Sequence, residues 1–278
     1  MACLLSLAGL GWAYLGLLVA GHLAGEEANR LGPGMGVFDL VLRHHDLGIF
    51  ARAIYAAICR PSFGHAAVSG LWGAALVFAM WLAMTLAMML PTAGPMIVTY
   101  AEIAETAVAK GEPVVSPLAL IAGYVAIWIG FALVASSLQV ALTQAGLLDP
   151  TMGAVGPLFS GAIFLAAGAY QFSALKHACV TLCQRPFPFF LANWSTKPAG
   201  IFRLGLRQGV YCLGCCWAMM LLMFAVGVMN VIWMAALGLI MATEKLAATT
   251  RFSRAVGVGF GLIGMGLVGT AIAAHWPR

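Results

Sequence analysis

Charge is scarce in this chain. Only 8% of its 278 residues are Asp, Glu, Lys or Arg, where soluble domains carry roughly 25%. With 63% of residues hydrophobic, that scarcity excludes a water-soluble globule, because the surplus apolar surface must face lipid. A continuous basic stripe interleaved with aromatics is missing too. The formal charge of +5 therefore belongs to loop lysines and arginines, and a nucleic-acid partner is excluded. No Walker A, H-E-x-x-H or G-x-S-x-G sequence occurs, so ATP-driven transport and familiar hydrolase chemistry lack support, and no catalytic residue is assigned. Gly259 to Gly264 spells G-x-G-x-x-G inside an apolar run with no strand before it. That context fails a dinucleotide site, and close helix contact across small residues such as Gly257 and Gly261 explains it. The 7 cysteines do not form a secreted disulfide framework, which needs a small loop-rich domain. Lys and Arg are also absent before the first apolar run, Cys3 to Ala24, whose His22-Leu23-Ala24 end is a poor cleavage site. A retained transmembrane helix is expected there.

What is present is a series of apolar runs, near 3–24, 68–91, 116–142, 152–175, 207–227, 229–243 and 255–275. They predict an all-α polytopic transmembrane bundle of about seven spans, six if the 207–243 run is one helix. A single helix from Gly209 to Thr243 would reach about 50 Å, beyond the roughly 30 Å hydrocarbon core. Two short helices turning near Gly227 to Asn230 fit better. The whole chain, 1–278, reads as a single membrane domain, with an interfacial segment near 25–67 and a helical core near 68–275. Within the former, Phe38 to Ile58 has helical apolar spacing interrupted by Arg43, His44, His45 and Arg52. Seven spans place Arg30, Arg43, Arg52 and Arg60 on one side of the bilayer. Lys110, Lys176, Arg185, Lys197, Arg203, Arg207, Lys245, Arg251 and Arg254 fall on the other. The richer side is cytoplasmic by the positive-inside rule. Merging the fifth and sixth runs would remove that bias.

The richer side also collects the sulfur. Met88, Met89 and Met96 end the second run, Cys179 and Cys183 follow the fourth, and Cys212, Cys215 and Cys216 open the fifth. Three consecutive spans oblige these groups to share one leaflet in either orientation. Met80, Met84 and Met88 form an i, i+4, i+8 stripe, which packing alone can explain. Pro91 and Pro95 should break or kink the helix. Cys179 and Cys183 fall one turn apart if the helix persists to Pro186. Lys176 and Arg185 flank them, while His177 points elsewhere. Cys212-x-x-Cys215 opposite Cys179-x-x-x-Cys183 permits a four-thiolate zinc site. The Cys-x-x-Cys spacing also permits a redox dithiol, though the strand-to-helix junction usual for that chemistry is not expected here. Methionines continuing each stripe favour Cu(I), since thioethers are soft ligands. Glu244-Lys245 is a topological stop or an ion pair. Glu102, Glu105 and Glu112 read as surface solvation.

Three ordered motifs resemble a bacterial family of membrane proteins predicted to bind metal. They are Met80 to Met96 (Met-Trp-x-x-Met-x-x-x-Met-Met-x-Pro-x-x-x-Pro-Met), Tyr170 to Pro186, and Tyr211 to Lys245. The resemblance covers roughly residues 65 to 270. Relatives in that family include membrane copper-delivery factors for a polyphenol oxidase. The resemblance implies metal handling with Cys179, Cys183, Cys212, Cys215, Cys216, Met88 and Met89 at motif positions. It also implies a multi-pass protein of the bacterial inner (cytoplasmic) membrane. Expected partners are the lipid bilayer and a membrane-associated cuproenzyme or other membrane subunits; the expected metal is Cu(I), with zinc as the alternative. Ala174 stands where the family has proline, and the cysteines stay in register. Copper delivery leads as the expected function. A metal or small-solute transporter and a structural subunit with a zinc or packing cysteine cluster are the alternatives.

Overall fold

The computed structural model describes residues 70–148, 156–228, 230–246 and 250–275, together with Gly9. The expected first span and the amphipathic stretch Phe38 to Ile58 lie outside the described residues. The described chain is helical: α1 (Leu71–Thr92), α2 (Gly94–Ala109), α3 (Pro117–Gln144), α4 (Pro157–Tyr170) and α5 (Ala174–Gln184). There follow α6 (Pro186–Ala192), α7 (Pro198–Leu221), α8 (Met223–Val226), α9 (Val231–Leu246) and α10 (Thr250–His275). Breaks fall where the local chemistry demands them. Pro91 sits in the last turn of α1, and after Ala93 the chain restarts as α2 with Pro95 near its beginning. Ser173 separates α4 from α5, and its hydroxyl accepts from the Lys176 N–H at 3.1 Å. That cap fixes the start of the helix carrying Cys179 and Cys183.

The long run from Gly209 to Thr243 is two helical stretches. Gly227 has φ 99°, a left-handed conformation that favours glycine, and it ends α8. Asn230 then caps α9 by accepting from the Trp233 N–H at 3.2 Å. Four stretches are long and apolar enough to cross a membrane: α1, α3, α7 continued through α8, and α10. The α4–α5 pair, bent by 64°, makes a fifth if it is one broken span. At 16 residues α9 is shorter than a full crossing.

α7 is the centre of the bundle, with 67% of its apolar window buried against 22% for α10. It packs closely on α3 and α5, while α10 packs on α4. Small residues permit both contacts. A Cβ on Gly205 would lie 2.1 Å from the Leu120 carbonyl oxygen, and one on Gly264 would lie 2.9 Å from that of Gly161. In the last run Gly257 and Gly264 serve close packing on α4, whereas Gly259, Gly261, Gly266 and Gly269 have nothing within 4 Å of a Cβ position. Leu133 and Val134 on α3 and Leu262, Met265 and Ile272 on α10 face outward, an apolar exterior suited to lipid. Beside this bundle, Tyr100 of α2 stacks on Trp194 and donates to the Val115 carbonyl at 2.8 Å.

Candidate metal centre

Helical spacing puts Cys212 and Cys216 one turn apart on α7 and sets Cys215 beside them. The three Sγ atoms lie within 4.8 Å of one another, and all three residues are buried. The Cys215 thiol donates to the Cys212 carbonyl at 3.0 Å, and its Sγ is 3.2 Å from that of Cys216. Metal–sulfur bonds near 2.3 Å would hold three trigonal sulfurs about 4.0 Å apart. Thiol rotation within the existing helix meets that spacing, so the donor set fits one soft ion.

The surroundings of Cys212 come from three other helices. The Tyr124 hydroxyl on α3 lies 3.0 Å from Cys212 Sγ and donates to the Met89 carbonyl at 3.2 Å. Lys245, at the end of α9, donates to Cys212 Sγ at 3.0 Å and to Thr92 Oγ1 at 2.6 Å. Its ammonium also lies 3.9 Å from Met89 Sδ. A positive charge therefore sits against the sulfur that a metal would take as thiolate, and it offsets negative charge in a dry site.

Behind the thiols, the backbone of α7 is held from two sides. Lys176 and Glu244 form an ion pair at 2.8 Å with side chains 1% and 2% exposed. The same ammonium donates to the Cys215 carbonyl at 3.2 Å, and the Gln184 amide donates to the Glu244 carbonyl at 2.8 Å. The Tyr170 hydroxyl donates to the Gly214 carbonyl. Thus α4, α5 and α9 all grip the turn that bears the cysteines.

The residues singled out in the sequence divide into groups. Cys212, Cys215 and Cys216 share ligand spacing; Cys179 and Cys183 lie outside that mutual spacing. Cys183 lines a cavity with Cys212. Cys179 seats its sulfur against Gly214, 2.6 Å from where a Cβ would be. Met89 faces the centre through Lys245, whereas the Met88 side chain packs toward Gly238 on α9. Met80 and Met84 are buried in the apolar core. His177 and Arg185 line a separate polar cavity.

Sequence reasoning noted Glu244-Lys245 but not its division of labour. Glu244 does form an ion pair, with Lys176, while Lys245 turns to Cys212. Tyr124 and Gln208 carried no sequence signal beyond being polar residues in apolar runs, a signal that points to function in membrane helices.

Such a fold and site define an all-helical protein with a buried thiol cluster fit for a soft metal. The chain belongs to the copper chaperone family PpoB2, whose model matches residues 78–267 and so includes Cys179, Cys183, Cys212, Cys215 and Cys216. No curated protein and no solved structure matches it. Family membership and the cysteine cluster together support copper handling and imply a non-catalytic role.

Proposed function

We propose that this protein is a membrane copper chaperone that holds Cu(I) on Cys212, Cys215 and Cys216 and passes it to a membrane-associated cuproenzyme. The observation that carries the reading is the convergence of three buried sulfurs within 4.8 Å. Thiolates are soft donors that suit Cu(I), and the Met89 thioether beside Lys245 adds a second soft group of no use to zinc. Cys183 and Met89 are the expected ligands best placed to join the three during loading. Cys179 and Met88 support neighbouring helices in this reading.

Four to five apolar spans support insertion in a bilayer. With α8 and α9 separated at Gly227, we adopt the seven-span topology with α9 as a short span, which would put the sulfur-bearing ends on the basic, cytoplasmic face of a bacterial inner membrane. The C-terminal ends of α1 and α9 meet through Thr92 and Lys245, in keeping with two spans that finish on one side.

Metal analysis of the purified full chain tests the assignment. Protein supplied with copper under reducing conditions should carry copper, and a variant with Cys212, Cys215 and Cys216 all changed to Ser should lose it. Equal and negligible copper in both would sink the reading. Stoichiometric zinc in its place would make the cluster structural. Copper flux across sealed vesicles would make the bent α4–α5 pair part of a transport pathway, since broken helices are a feature of transporters.

A further inference from the structure

A cavity of about 180 Å³ lies against the thiol cluster, walled by the α1–α2 break, α5, α7 and the end of α9. Cys183, Cys212, Met96, Gln208 and Lys245 line it. Cys215 and Cys216 do not; they sit deeper. Among the described residues there are five free cysteines, of which Cys183 is half-buried and the other four are buried. The soft donors are therefore graded from the cavity inward, with Cys183 and Cys212 on its wall and Cys215 and Cys216 behind them.

Gln208 supplies an independent sign of an occupant. It is 3% exposed, it lines this cavity, and its amide nitrogen has no hydrogen-bond partner. A buried donor left unsatisfied costs about 1–3 kcal/mol. A guest that offers an acceptor would satisfy it.

We propose that this cavity is the port through which Cu(I) reaches and leaves the cluster, with Cys183 as its receiving thiolate and Lys245 as its gate. The proposal rests on the copper reading above and names the route that reading lacks. The guest is Cu(I) bound to a small carrier ligand bearing an acceptor oxygen or nitrogen, which the Gln208 amide engages. At Cys183 one copper–carrier bond breaks as one copper–sulfur bond forms. The thiol proton passes to water at the mouth, the carrier departs with its own electron pair, and copper stays Cu(I) throughout. From Cys183 the ion passes to the buried thiols by the same exchange, the incoming thiol's proton moving to the Cys183 sulfur as that copper–sulfur bond breaks. Cys212 is reached last, because copper must take its sulfur from the Lys245 ammonium. Each thiol that takes the ion gives up its proton, so Cu(I) on two thiolates beside the retained Lys245 ammonium leaves the buried site without net charge. The ammonium keeps Thr92 Oγ1, its 2.6 Å partner, when it releases the sulfur.

Exchange kinetics with the full chain in detergent test the port. Cu(I) bicinchoninate is the copper source, and loss of its colour is followed at excess protein. Cys183→Ser should keep the copper stoichiometry of the unsubstituted protein while slowing uptake at least about tenfold, the loss expected when a local relay thiol is removed. Cys183→Met, which restores a soft donor, should recover much of the rate. Ala93→Phe, which narrows the cavity without touching a thiol, should slow uptake and release alike. An unchanged rate in Cys183→Ser, or a lower copper stoichiometry in it, would overturn the relay. Full-speed exchange in a folded Ala93→Phe would overturn the port while leaving the chaperone reading intact. If the unsubstituted protein takes no copper from the chelate or from free Cu(I), the chaperone reading itself fails and the port with it.

Discussion

Two lysines approach the cysteines of α7 in opposite senses, and they do different work. Lys245 reaches a sulfur, whereas Lys176 reaches a backbone carbonyl and a carboxylate. The Lys176–Glu244 pair is almost completely buried, so removing one partner leaves the other charged and unsolvated. Lys176→Met should lower stability by about 3–5 kcal/mol, read as a large fall in the thermal midpoint of the detergent-solubilised protein. The double variant Lys176→Met, Glu244→Leu should regain most of it. If the single and double variants melt alike, the pair is not acting as a compensated buried charge. Lys176 was legible as a cation near Cys179. Its partner was not, because 68 residues separate the two.

At the level of helices, α3 and α7 touch at glycine. Gly205→Leu would drive a side chain into the Leu120 carbonyl, and overpacking of this kind costs about 3 kcal/mol or more. Gly259 has nothing within 4 Å of its Cβ position, so Gly259→Ala should be neutral or slightly stabilising. Comparing the folded fraction of the two variants by size-exclusion chromatography checks the contrast; equal behaviour would contradict the close α3–α7 approach. Apolar runs in the sequence correctly place α1, α3, α7 and α10. They place α4 and α5 less well, because a run of hydropathy carries no information about the 64° bend at Gln171 to Ser173. The same limit applies to the fifth and sixth runs. Only the backbone at Gly227 and the cap at Asn230 divide them.

For the molecule as a whole, copper bound at the proposed site should stabilise the bundle that encloses it. The ligands come from α7, yet the groups around them belong to α1, α3, α5 and α9, so loading the site favours the assembled bundle over any state in which those helices part. At free Cu(I) about 100-fold above the dissociation constant, binding should add about 2.7 kcal/mol to stability. The copper-loaded protein should therefore melt higher than the metal-free form, and a Cu(I) chelator should reverse the shift. The Cys212, Cys215, Cys216 to Ser variant should show no shift. A copper-induced rise that survives in that variant would place the stabilising metal elsewhere.

The sequence by itself determined the helical make-up of this protein and the apolar runs that are long enough to cross a membrane. Scarce charge and long apolar runs favour helices, which satisfy their own backbone hydrogen bonds wherever water is excluded. Tertiary structure alone decided which sulfurs meet. Helical phase brings Cys212, Cys215 and Cys216 to one turn of α7, but the packing of α5 leaves Cys179 against Gly214 and Cys183 at the cavity wall. It also decided where Lys245 points, since a lysine at a helix end can turn to water, to a carboxylate or to a thiol. Periodicity fixes the face of a residue on its own helix, and only the neighbouring helices fix what that face touches.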